Sequence, residues 1–112
     1  MLYFAYGSNL GPTVFATRCP TRRFVGIARA DGFRLGFTRY SERRGGGVAD
    51  LVPTAGEAVW GALYELSDGD FAALDRIEGV QLGAYSREVV TVQQVDGSAV
   101  TACAYMVCAM SG

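Results

Sequence analysis

The stretch YSREVVTVQQVDGSAVTACAYMV, residues 85–107, decides the fold of this chain. Two runs rich in β-branched residues, 85–95 and 99–107, flank the turn sequence Asp96-Gly97-Ser98. Such runs joined by an Asp-Gly pair are typical of two antiparallel strands in a tight hairpin. We therefore expect this part of the chain to form a β-hairpin.

Strand signals also recur through the first half of the chain. A second Asp-Gly pair, Asp31-Gly32, predicts another tight hairpin, and Pro53 and Gly56 predict a break between two later strands. Together with the hairpin at 85–107, these signals give about seven strands. The predicted strands of the first half cover residues 2–6, 24–29, 33–38, 48–52 and 58–66.

Two short helices are expected between these strands. Pro12 suits the first turn of a helix that reaches about Cys19, and Ser67 with Asp70 forms a capping box that starts a second helix. Gly79 ends that helix after an apolar series at helical spacing, Phe71, Leu74 and Ile77. This pattern predicts a single α+β domain over residues 1–112, an antiparallel-rich barrel or sheet with helices packed on it.

The absent residue types exclude several kinds of chemistry. The chain has no His, and all 10 of its basic residues are Arg, against 11 acidic residues and a net charge of -1. Without His and Lys there is no Ser-His-Asp machinery, no His-bound metal and no Schiff base. We expect catalysis without a cofactor or metal, by carboxylates, tyrosines, backbone dipoles or a thiol. The evenly mixed charges predict a small molecule or another protein as the partner, rather than a nucleic acid or a membrane.

The cysteines and the N-terminus indicate a reducing compartment. Cys19, Cys103 and Cys108 have no C-x-x-C spacing, so we interpret them as reduced core thiols rather than disulfide or zinc ligands. No basic leader precedes the first strand, and no apolar run approaches the roughly 18 to 20 residues of a membrane span. These features predict a soluble cytoplasmic protein.

Glu78 is the candidate acid and base. Advancing 100° per residue places it about 20° from Phe71, on the apolar side of the second helix, and in the last turn, where the helix dipole disfavours a carboxylate. Desolvation and the dipole would both raise its pKa, as a group that accepts and then returns a proton requires. The alternatives are that Glu78 leans into water from a frayed helix end or pairs with an arginine such as Arg87.

The loop after the first strand, Tyr6-Gly7-Ser8-Asn9-Leu10-Gly11, is the candidate substrate cradle. Backbone N–H groups between a buried strand and a Pro-started helix can converge on an anion, and Ser8 and Asn9 add side-chain hydrogen-bonding groups. The alternative is a turn that only caps the helix.

Four motifs follow one another along nearly the whole chain. They are residues 3–10 (YFAYGSNL), 45–53 (GGGVADLVP), 59–66 (VWGALYEL) and 74–80 (LDRIEGV), the last shortly before Tyr85. In this order the motifs resemble the γ-glutamylcyclotransferase-like family, which includes the AIG2-like and γ-glutamyl-amine cyclotransferase groups. The resemblance implies a small, mixed, mostly antiparallel β-barrel with flanking short helices.

The resemblance also implies a reaction and the residues that perform it. A γ-glutamyl amine, amino acid or peptide would be converted into 5-oxoproline and the free amine, with Glu78 as the catalytic acid and base. The implied substrate-binding residues are Tyr3, Phe4, Ala5, Tyr6, Gly7, Ser8, Asn9, Leu10, Tyr85 and Tyr105.

Two further points follow from the resemblance. The family usually continues after the strand of Tyr105 into a segment that can close the pocket. One interpretation is a homodimer in which a second subunit supplies that wall. The alternative function is that of a catalytically weak or inactive relative that binds a small carboxylate or a protein partner through the same cavity.

Overall fold

A closed barrel with two helices packed on it forms the described part of the chain. The structure is a computed structural model that describes residues 1–6, 12–41, 46–78 and 85–107. Within these ranges the strands join in the order β1-β3-β2-β4-β5. The predicted α+β class and mixed barrel are confirmed. The elements are β1 (Leu2–Ala5), α1 (Pro12–Arg18), β2 (Arg23–Ser41), β3 (Gly46–Glu65), α2 (Asp68–Glu78), β4 (Tyr85–Gln94) and β5 (Ala99–Val107).

Strand β1 closes the barrel. It pairs antiparallel with β3, where Phe4 faces Leu63, and parallel with β5, where Tyr3 faces Cys103. The other pairs, β2 with β3, β2 with β4 and β4 with β5, are antiparallel, so the β1–β5 pair makes the barrel mixed. A strand with a partner on each side has its backbone groups satisfied in the sheet, which suits the apolar composition of β1.

The hairpin predicted at residues 96–98 is confirmed. The amide of Ser98 and its hydroxyl both donate to Asp96 Oδ1, at 2.9 and 2.6 Å, and Gly97 takes a φ of +89°, which favours glycine. Strands β4 and β5 then pair from Gln93 with Ala99 to Tyr85 with Val107.

The hairpin predicted at Asp31-Gly32 is wrong. Strand β2 runs through these residues and pairs with β3 on both sides of them, and the register shifts between the pairs Asp31 with Ala58 and Phe33 with Pro53. Gly32 has a φ of +83°, so the Asp-Gly pair marks a bulge in a continuous strand. The predicted break at residues 53–56 is likewise part of this bulge, which is why five strands, not about seven, occur in the described ranges.

Helix α2 begins as the sequence predicts. The Ser67 hydroxyl accepts a hydrogen bond from the amide of Asp70 at 3.1 Å, and the Thr21 hydroxyl donates to the Asp70 carboxylate at 2.5 Å. The first contact satisfies an amide that has no partner within the helix, and the second joins the start of the helix to the segment after α1. Neither described helix has the length and apolar character needed to span a bilayer.

Two apolar clusters hold these elements together. The barrel core fills the interior, and the helix-facing cluster lies between the outer face of the barrel and the helices. Side chains alternate between them along β5, since Ala102 and Ala104 belong to the first and Cys103 and Tyr105 to the second. The buried members of the helix-facing cluster are Cys19, Leu66, Phe71, Leu74, Tyr85, Cys103 and Tyr105.

Candidate active site

Three segments reach the same edge of the barrel. Because β1 and β5 are parallel, their C-terminal ends share one edge, and because β4 is antiparallel to β5, its first residue, Tyr85, pairs there with Val107. Tyr6 follows β1 directly, so the first residue of the predicted cradle lies at this edge. The remaining cradle residues, Gly7, Ser8, Asn9 and Leu10, lie outside the described ranges.

Tyr105 joins the two parts of the predicted site, the helix that ends at Glu78 and the start of the cradle at Tyr6. Its side chain is buried, and its hydroxyl donates to Asp75 Oδ1 at 2.6 Å and lies 3.4 Å from the carbonyl oxygen of Phe71. Its backbone carbonyl accepts a hydrogen bond from the hydroxyl of Tyr6. One residue of β5 therefore contacts both the helix that ends at Glu78 and the first residue of the predicted cradle.

Arg87 holds the same helix from β4. A guanidinium nitrogen lies 3.7 Å from Asp75 Oδ2, and the guanidinium carbon lies 4.9 Å from the centroid of the Phe71 ring. The ion pair is partly exposed and contributes little by itself, whereas the stacking on an aromatic face adds a second point of contact. Asp75 thus has a neighbour on each of its two oxygens, one from β4 and one from β5.

Glu78 is the last residue of α2, and its side chain lies outside the described part of the structure. Its orientation therefore stays a prediction. Arg87, named above as an alternative partner for Glu78, contacts Asp75, three residues earlier on the same helix.

The other predicted tyrosines and Phe4 occupy distinct environments. Tyr3 packs against Phe15 of α1, Phe71 of α2 and Tyr105, with ring centroids 6.0, 6.3 and 5.9 Å apart. Tyr85 is buried in the same helix-facing cluster. Phe4 instead points into the barrel core, fully buried, and Ala5 follows it at the end of β1. The contact of each of these residues with a substrate stays a prediction.

Burial raises the pKa of Tyr105, and its hydrogen bond to the Asp75 carboxylate raises the pKa further, whereas the positive charge of Arg87 has the opposite effect. The phenol therefore keeps its proton at neutral pH. Because a phenol has a single hydrogen to donate, that hydrogen is committed to α2.

Cys19 and Cys103 are free and buried thiols, as predicted, and Cys108 lies outside the described ranges. Burial, together with the nearby negative charge of Asp70, raises the pKa of Cys19 to about 11, although Arg22 partly opposes the shift. A thiol with this pKa is almost wholly protonated at neutral pH and is a poor nucleophile. In the described ranges, no three His, Cys, Asp or Glu side chains cluster to hold a metal ion.

The sequence singled out no role for Asp75 and named Arg87 only as an alternative partner of Glu78. A signal existed for Asp75, because residues three apart on a helix are neighbours and Asp75 precedes Glu78 by three. No sequence signal indicated that Tyr105 would donate to Asp75.

Comparisons with known proteins agree with this fold. Residues 3–111 match the family model described as gamma-glutamyl cyclotransferase, AIG2-like. A gamma-glutamylcyclotransferase of Bos taurus is 36% identical over 108 residues, which cover 93% of this chain and 57% of the bovine protein. That of Homo sapiens is 34% identical over 109 residues, covering 94% of this chain and 58% of the human protein.

Solved structures show the same relationship. The structure of a protein named gamma-glutamyl cyclotransferase superimposes with a TM-score of 0.87 at 32% identity, covering 96% of this chain and 66% of that one. The chain thus spans somewhat more than half the length of the curated relatives that it matches. With a family match over nearly all of its residues, the chain belongs to the gamma-glutamyl cyclotransferase, AIG2-like family.

Proposed function

We propose that this protein is a cyclotransferase that converts a γ-glutamyl amine, amino acid or peptide into 5-oxoproline and the free amine. The observation that carries the proposal is the junction at Tyr105, whose hydroxyl contacts Asp75 of α2 and whose carbonyl accepts from Tyr6. This junction ties the helix that ends at Glu78 to the end of β1, where the predicted cradle begins. The family membership supports the same reaction.

The reaction suits the residue types that the chain possesses. The α-amine of the substrate attacks its own γ-carbonyl, the N–C bond of a five-membered ring forms, and the bond from that carbonyl to the leaving amine breaks. An intramolecular attack gains a large effective molarity, so no covalent enzyme intermediate and no metal is needed.

Glu78 has two tasks in this proposal. It first accepts a proton from the substrate α-ammonium, whose ordinary pKa is about 7.7 to 8.0, and then returns this proton to the departing amine. The ring nitrogen, which is cationic after its attack, loses its second proton to water. Backbone N–H groups of Gly7, Ser8 and Asn9 would hold the substrate carboxylate or the developing oxyanion, with Tyr6 and Tyr85 beside them.

The decisive experiment replaces Glu78 by glutamine and follows 5-oxoproline release across a panel of γ-glutamyl amines, amino acids and peptides. General acid–base catalysis contributes about 10²- to 10⁴-fold, so we expect kcat/KM of Glu78→Gln to fall at least about 100-fold. Calorimetric binding of the substrate should persist, because the amide retains the shape of the carboxylate.

Asp68→Asn is the matched control. Asp68 is exposed at the other end of α2, ten residues and thus about 15 Å from Glu78, so the same loss of a carboxylate should leave turnover unchanged. Equal activity of wild type and Glu78→Gln would refute the role of Glu78. A folded wild-type protein that binds γ-glutamyl compounds but releases no 5-oxoproline from any of them would refute the proposed reaction and favour a binding module.

A further inference from the structure

Tyr105 has no free hydrogen to offer a ligand. Its residue is only 3% exposed, its hydroxyl hydrogen is directed at Asp75 Oδ1, and the Phe71 carbonyl oxygen lies on the same side at 3.4 Å. A ligand that accepted a hydrogen bond from this phenol would have to displace Asp75, whose carboxylate would then lose its closest donor. The hydroxyl is therefore occupied by the helix.

Asp75 is well placed to fix the last turn of α2. Residues three apart on a helix are neighbours on its surface. Fixing the direction in which Asp75 leaves the helix axis therefore also fixes the direction of the backbone at residue 78. The two Asp75 oxygens meet groups from different strands, Tyr105 on β5 and Arg87 on β4. Two contacts from separate strands restrain the rotation of the helix about its axis better than one contact can.

The anchor of α2, meaning Tyr105 and Arg87 where they hold Asp75, is carried by two paired strands. Tyr105 pairs with Arg87 in the register of β4 and β5, so the two groups that hold Asp75 are cross-strand neighbours. The aromatic rings of Tyr3 and Phe71 further confine this part of the helix-facing cluster, since Tyr3 contacts both Tyr105 and Phe71. The last turn of α2 lies just beyond this anchor.

We propose that Asp75 and Tyr105 are positioning residues that fix the last turn of α2, and that Tyr105 acts on the reaction through Asp75 rather than by touching the substrate. The inference rests on the function proposed above, in which Glu78 must reach the substrate amine. It revises the role that the family resemblance implies for Tyr105.

The kinetic test uses Tyr105→Phe, Asp75→Ala and the double variant. Because a displacement of about 1 Å can cost about 100-fold, we expect each single variant to lower kcat by about 10- to 100-fold, with KM within about threefold of wild type. Tyr105→Phe removes the donor and Asp75→Ala removes the acceptor of one hydrogen bond, so the double variant should lose no more activity than the less active of the two single variants. Tyr64→Phe, the same deletion on a neighbouring ring of the cluster, should leave kcat unchanged.

A second measurement does not depend on turnover. Loss of the Tyr105–Asp75 bond should accelerate amide hydrogen exchange at residues 76–78 by about tenfold, while exchange in β5 and at the start of α2 stays unchanged. If the wild type releases no 5-oxoproline, the proposed function fails and this measurement alone decides the positioning role. A raised KM with kcat preserved, additive losses in the double variant, or unchanged exchange at residues 76–78 would each overturn the inference.

Discussion

Gly61 should tolerate no side chain, not even a methyl group. A Cβ built on this residue of β3 would lie 2.5 Å from the Ala5 carbonyl oxygen and 2.8 and 2.9 Å from two ring atoms of Phe4. To reach an ordinary contact of 3.4 Å, the Ala5 oxygen would have to recede by 0.9 Å, the difference between the two distances. That oxygen belongs to the backbone of a strand paired on both sides, and Phe4 is fully buried, so neither can move without disturbing β1.

We therefore expect Gly61→Ala to destabilise the protein by about 2 to 3 kcal/mol, toward the upper end of what overpacking costs. Gly69→Ala offers a matched control with the opposite sign. Gly69 lies in α2, where a Cβ would meet only the Ser67 hydroxyl at 3.8 Å, and alanine is the better helix former. This variant should gain about 0.5 kcal/mol.

Urea unfolding followed by circular dichroism measures both effects. With a slope of about 2 kcal/mol per M, Gly61→Ala should lower the unfolding midpoint by about 1 M or more, and Gly69→Ala should raise it by about 0.2 M. A Gly61→Ala midpoint within 0.2 M of wild type, an order-of-magnitude tolerance set by the same slope, would show that β1 yields easily and would refute the argument.

Three further predictions concern single groups. The pKa of Tyr105 is raised in the folded state above its ordinary 10.0, so its contribution to stability is complete below about pH 10. This contribution is lost as the pH rises toward the folded pKa. In urea unfolding, the stability advantage of wild type over Tyr105→Phe should therefore shrink above pH 10 by up to about 1.4 kcal/mol per pH unit. Cys19, with a pKa of about 11 against 9.0, should react with iodoacetamide at pH 8 about 100-fold more slowly than in urea, as measured by mass spectrometry of its peptide. Ser67→Ala, which removes the cap from the Asp70 amide, should cost about 1 kcal/mol in urea unfolding, and Ser67→Asp should restore most of it.

Each of these has an outcome that contradicts it. A pH-independent difference between wild type and Tyr105→Phe would mean that the phenol titrates normally. Equal alkylation rates with and without urea would mean that Cys19 is accessible as a thiolate. An unchanged midpoint in Ser67→Ala would mean that the Thr21 hydroxyl or water replaces the cap.

The two Asp-Gly pairs show how far local sequence predicts a fold. Both glycines adopt the positive φ that the pair favours, +83° at Gly32 and +89° at Gly97. At Gly97 the chain reverses, whereas at Gly32 it continues through a bulge because the partner of each flanking segment is β3. A local pattern indicates backbone conformation, but the choice of strand partner depends on the whole barrel.

For the predicted site as well, local sequence indicated the secondary structure but not the contacts between elements. The capping box at Ser67 and the apolar series of α2 predicted the bounds of the helix and the position of Glu78 at its end. The contact of Tyr105 with Asp75 depends on how β5 lies against α2, which periodicity within either element cannot supply. The family resemblance identified the segments that meet, and the structure adds how Asp75 and Tyr105 join them.

The parallel pairing of β1 with β5 has a consequence for how the protein is made. The paired residues Tyr3 and Cys103 are 100 positions apart, the difference of their numbers. A ribosome adding about 5 to 20 residues per second needs about 5 to 20 s to span that separation. Until then the barrel cannot close, so the edge of β1 that later pairs with β5 stays without its strand partner and Phe4 is not fully sheltered.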